Sequence, residues 1–131
     1  MFKSILPNVL IFTILAILVT ACGSEANSGA VQAVEDYVNA LVNKDDASIS
    51  SLSCEDWEMM ALLELDSFQA VETRLEGLSC SEVGTDGDTI LVNCEGKIIA
   101  TYNDEDQELD LSLRTYQVVQ QGGEYLLCGY R

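Results

Sequence analysis

Cysteine and carboxylate carry most of the chemistry open to this chain. Its 131 residues include five cysteines and 22 aspartates and glutamates, but no histidine. Without an imidazole, the Ser-His and Cys-His nucleophile pairs are excluded, and so is the commonest general base and metal ligand. Catalysis would rest on carboxylates, tyrosines or the few bases. Cys54, Cys80, Cys94 and Cys128 form an even set, which in a small exported domain argues for two disulfides. A zinc site built on four cysteines usually brings them in close pairs, and these four are far apart in sequence. Three connectivities are open. The hairpin read below sets Cys80 opposite Cys94 and leaves Cys54 with Cys128, ahead of Cys54 with Cys80 and Cys94 with Cys128.

The remaining polar candidates have plain explanations beside the chemical ones. Glu64 with Asp66, and Glu55 with Glu58, have the composition of an acid–base pair. In so acidic a chain such pairs arise by chance, so no catalytic residue is assigned. The run Asn103-Asp104-Glu105-Asp106-Gln107-Glu108-Leu109-Asp110 offers hard oxygen ligands of the kind calcium takes. It lacks the glycine and terminal glutamate of an EF-hand loop and reads as a solvated turn, as does Asp86-Gly87-Asp88. No metal or cofactor is assigned. Arg74 and Arg114 stand out because bases are scarce; Arg114, mid-strand on the polar face, either pairs with a nearby carboxylate or anchors an anionic ligand.

The fifth cysteine is different. Lys3 precedes an almost wholly apolar stretch from Ile5 to Val19, which ends in Val19-Thr20-Ala21-Cys22. The apolar run falls short of the roughly 20 residues that span a bilayer and fits a secretory leader better. Val19 to Cys22 resembles the lipobox of bacterial lipoproteins, which implies cleavage before Cys22 and acylation of its sulfur. Residues 1–21 are then the signal peptide, 22–29 a lipidated cysteine with a flexible tether, and 30–131 a single domain. The expected partner is a lipid bilayer, held through acyl chains on Cys22, at the extracytoplasmic face of a bacterial cell envelope. Removing the leader takes one base and no acid, so the net charge moves from −16 to −17. Such a surface repels phosphate backbones, so nucleic acid is not expected as a partner.

Helical spacing of Val31, Val34, Tyr37, Val38, Leu41 and Val42 predicts a helix to Lys44, with Ser28 able to cap it. A short turn with Ile49 and Leu52 inward follows Asp45-Asp46. Ser53 with Asp56 has the form of a capping box opening a second full helix, with Trp57, Met60, Ala61, Leu63 and Leu65 as inward candidates. From about Val71 the pattern turns to strand, kinked at Gly77. Gly84 to Asp88 is a hairpin turn, Thr89 to Tyr102 a long strand, Glu108 to Gln120 a third strand and Tyr125 to Arg131 a fourth. The expected fold is α+β, with N-terminal helices packed on a curved four-stranded antiparallel meander.

The stretch Ala33-Val34-Glu35-Asp36-Tyr37-Val38-Asn39-Ala40-Leu41, the Lys44-Asp45-Asp46-Ala47 break, Thr85-Asp86-Gly87-Asp88 and the closing Gly123 to Tyr130 resemble those of small bacterial lipoproteins. Their domain is the nuclear transport factor-like (SnoaL-like, cystatin-like) cone. That resemblance implies a pocket at the open end of a cone. Some members are isomerases or dehydratases using Asp, Tyr or His there, and others bind without chemistry. Tyr37, Tyr102, Tyr116, Asp66 and Asp110 do not map onto a catalytic constellation residue by residue. The expected function is therefore non-catalytic binding of an envelope protein or a small ligand. The alternative is a small isomerase- or dehydratase-type enzyme using a pocket Asp or Tyr.

Overall fold

The computed structural model describes residues 28–131. The leader expected at 1–21 and Cys22 lie outside the described residues. The elements run α1 (Gly29–Asn43), α2 (Asp46–Leu52), α3 (Glu55–Ser67), β1 (Glu72–Asp86), β2 (Thr89–Tyr102), β3 (Glu105–Asp110), a 3-10 turn (Leu111–Leu113), β4 (Thr115–Gln121) and β5 (Glu124–Tyr130). This is an α+β fold of three helices followed by one five-stranded antiparallel sheet.

Local chemistry sets the helix limits. The Ser28 hydroxyl accepts from the Val31 amide at 3.2 Å, and Lys44 closes α1 in the left-handed conformation. Asp45 caps α2 through Ser48. The expected capping box on α3 does not form. Ser53 is buried and donates to the Ile49 carbonyl at 2.7 Å, finishing α2, and Cys54 caps α3 without a side-chain bond. A serine hydroxyl bonds back to the preceding turn as readily as it caps the next helix.

Gly77 and Gly96 both have positive φ, and the β1–β2 register slips between Glu76 and Ser79. This is the bulge at the expected kink, and it bends the long hairpin.

The expected four-strand count is corrected to five. Leu109, Leu111 and Leu113 alternate with polar residues as a single strand would, but the Asp110 carboxylate accepts from both the amide and the hydroxyl of Ser112. That side-chain turn breaks the strand. Its first half, β3, pairs with Lys97–Tyr102 of β2, and its second half, β4, pairs with Thr89–Asn93. The β2–β3 turn is correspondingly tight, Asn103 and Asp104 both taking positive φ as a primed hairpin turn requires.

The core lies between α1 and the sheet. Val34, Tyr37, Val38 and Leu41 of α1 meet Val92, Ile98, Tyr116, Val118 and Leu127, with Ile49, Ala61 and Leu65 from the other helices. Two cysteine pairs stand at disulfide distance. Cys80 faces Cys94 across the hairpin with Cα atoms 4.0 Å apart, and Cys54 at the start of α3 meets Cys128 of β5 with Cα atoms 5.2 Å apart.

Candidate functional site

α3 has no single apolar face: its apolar residues are scattered round the helix among five carboxylates, so it cannot bury every apolar side chain against one neighbour. It packs on α2 and β5. Its start is tied down by the Cys54 amide, which donates to the Leu127 carbonyl at 2.7 Å. Of its expected inward residues only Ala61 and Leu65 are buried; Trp57 is half-buried, and Met60 and Leu63 are 51% and 56% exposed. These last three wall a cleft of about 510 Å³, whose opposite side is β3 with Gln107, Glu108 and Leu109 and whose remaining lining includes Phe68, Arg114 and Tyr130.

Glu64 and Arg114 meet in this cleft at 2.5 Å, with side chains only 10% and 15% exposed. The other Glu64 oxygen, Oε2, accepts from the Tyr37 hydroxyl at 3.0 Å. The Arg114 guanidinium lies 4.0 Å above the Tyr130 ring, and Tyr130 makes edge contacts with Trp57 and Tyr116. Burial works against the Arg114 charge, but Glu64 beside it prevails and holds the guanidinium above its usual pKa. Burial, followed by the Glu64 charge, drives the Tyr37 phenol far above the tyrosine range. Burial pushes Tyr116 up to about 12, against the pull of Arg114. The Trp57 indole N–H and the Tyr116 hydroxyl are buried near Tyr37 and Arg114 respectively, yet neither completes a hydrogen bond.

The structure separates most other sequence candidates. Asp66 is exposed, and Asp110 serves its own turn. Tyr102 is exposed and Tyr116 is buried below the cleft. The acidic run is spent on separate partners: Asp106 on Arg74 and Thr101, Glu108 on Lys97, Asp110 on Ser112. Among the described residues no three carboxylates or thiols gather as a metal ion would need. Arg74 pairs with Asp106 and Glu76 on the sheet surface, whereas Arg114 enters the cleft. No place in a cleft is legible in the sequence for Phe68, Gln107, Leu109 or Tyr130. The nearest signal was the excess of apolar residues on α3 over what one buried face can hold.

Scans against protein-family models and against curated proteins find no match. Among solved structures, the fold is similar to the solution structure of a SEC-C motif containing protein from Rhodopseudomonas palustris. The two share 13% identity over 80% of each chain, with a TM-score of 0.52. At that identity the likeness concerns the fold alone. The expected membership of the nuclear transport factor-like lipoproteins is thereby corrected: no family model supports it, and the solved structure of similar fold is described as a different kind of protein. The pieces behind that expectation, a helix stripe, a helix break and two hairpin segments, are generic to α+β domains.

Proposed function

We propose that this chain is a non-catalytic binding domain held at the extracytoplasmic face of a bacterial membrane through Cys22, with the cleft between α3 and β3 as its binding site. The observation that carries the reading is the exposure of Met60 and Leu63 over a cleft whose buried charges, Glu64 and Arg114, are already tied to each other. An open apolar cleft with few, fixed polar groups is the usual form of a ligand site. Both Glu64 oxygens accept hydrogen bonds from Arg114 and Tyr37. That arrangement orients side chains and leaves the carboxylate with no evident role as a proton shuttle.

The test is photocrosslinking in intact cells, using the full-length chain with a benzoylphenylalanine at position 63. The same group at Val83, exposed on β1, is the reference. Adducts at 63 and not at 83 are expected. Equal adducts at both positions, or none at 63, would dispose of the cleft as a binding site.

A further inference from the structure

The occupant of the cleft can be narrowed, given the binding role just proposed, by what borders it and by its charge. Three consecutive residues of β3, Gln107, Glu108 and Leu109, line the cleft. Gln107 and Leu109 face it together with Ala100 of β2, and Glu108 between them points to the opposite face, so the cleft reaches round from the sheet face to the edge of β3. That edge is open: among the described residues β3 pairs only with β2. An unpaired strand edge presents backbone donors and acceptors to any extended chain. Here the edge runs beside Trp57, Met60, Leu63 and Phe68, which would receive every second side chain of an added strand.

The charge chooses among extended chains. α3 carries Glu55, Asp56, Glu58, Glu64 and Asp66, and β3 carries Glu105, Asp106, Glu108 and Asp110, with no base on either. All five bases of the described residues are engaged: Lys44 with the Val71 carbonyl, Arg74 with Asp106, Lys97 with Glu108, Arg114 with Glu64 and Arg131 with Asp86. Glu55, Asp56, Glu58 and Asp66 meet no basic side chain within the described residues. The two acids that line the cleft, Glu64 and Glu108, are paired, but the elements that form it keep unpaired carboxylates around it, and that negative surround repels a second copy of this chain and any anionic partner. The geometry points to a cationic, extended peptide segment of another protein, alternating Lys or Arg with apolar residues, that adds to the β3 edge as a sixth strand and sets its apolar side chains into the cleft.

β3 has six residues, so a peptide of about seven residues matches its span at roughly 3.3 Å each. The probe is the peptide Lys-Val-Lys-Leu-Lys-Val-Lys, titrated into the full-length chain in phosphatidylcholine vesicles, with empty vesicles as the blank. Trp57 is the chain's one tryptophan and lines the cleft, so its emission reports occupancy directly. A saturable change is expected with this peptide and none with its glutamate counterpart. Methylating alternate amides of the peptide, which stops them donating to a strand edge, should weaken binding by roughly tenfold or more. Leu63→Lys, at an exposed position that leaves the core intact, should do the same.

Equal affinity for the parent and methylated peptides would overturn strand addition. So would self-association of the chain that Leu63→Lys abolishes, since a second copy would then hold the face. A silent Trp57 with crosslinking at position 63 intact would sink the peptide and spare the cleft, whereas loss of both would remove the binding reading itself.

Discussion

Glu64 and Arg114 show how a half-hidden ion pair behaves as a unit. Breaking a mostly buried pair leaves the survivor without its counter-charge, whereas replacing both with apolar groups of similar size costs far less. Glu64→Gln should lower unfolding stability by about 2–3 kcal/mol, and the double variant Glu64→Leu, Arg114→Met by clearly less, in urea melts of the two side by side. A double variant as unstable as the single would mean that the pair contributes more than it costs to desolvate. The tyrosines beneath the pair make a second prediction. The phenols of Tyr37 and Tyr116 titrate above the ordinary 10.0 in the folded state. The folded protein therefore holds protons that the unfolded chain releases above pH 10, so their contribution is intact below that pH and lost as pH climbs beyond it. Alkaline titration followed at 295 nm should show Tyr37 and Tyr116 ionising only as the protein unfolds. Tyr116→Phe should flatten the fall in stability between pH 10 and 12.

The elements that position the cleft are held by connections of very different length. Cys54 to Cys128 closes a loop of 74 residues and binds the start of α3 to β5, while Cys80 to Cys94 spans 14 residues within one hairpin. In the chain-entropy view the longer loop contributes more, about 4 against about 3 kcal/mol. Replacing Cys54 and Cys128 together with serine should thus destabilise more than replacing Cys80 and Cys94 together, in paired urea melts. It should also loosen α3 and shift Trp57 emission, whereas the hairpin variant should leave Trp57 unchanged. The β1 bulge is the other fixed point. A Cβ on Gly96 would sit 2.6 Å from the Glu76 carbonyl oxygen and 2.7 Å from Gly77, at a φ of +102°. Only glycine fits where the two strands approach so closely.

At the scale of the whole molecule, address and charge act together. No described helix is long and apolar enough to cross a membrane; the attachment proposed is through Cys22. Cys22→Ala should abolish incorporation of radiolabelled palmitate and move the protein out of the membrane fraction; a variant that stays there unlabelled would defeat lipid anchoring. With a net charge of −17 once the leader is gone, the domain would be repelled by anionic headgroups. The tether would then hold it beside the surface without letting it lie flat, keeping the α3–β3 cleft accessible.

Much of the fold was legible because it rests on short-range rules. Helix spacing on α1, the Ser28 cap, the glycine-marked turns and the register that sets Cys80 against Cys94 are all local. So is the run ending at Cys22, which motivates the lipid anchor. The break at Leu111–Leu113 was hidden because alternating leucines fit a strand as well as a turn, and one carboxylate decides between them. The cleft was hidden for a different reason. Glu64 and Arg114 are 50 residues apart, and nothing in either neighbourhood marks one as the other's partner. The sequence by itself determined which residues are apolar, acidic or able to bridge. Only the tertiary structure decided which apolar residues stay uncovered, because α3 carries more of them than the sheet has surface to receive.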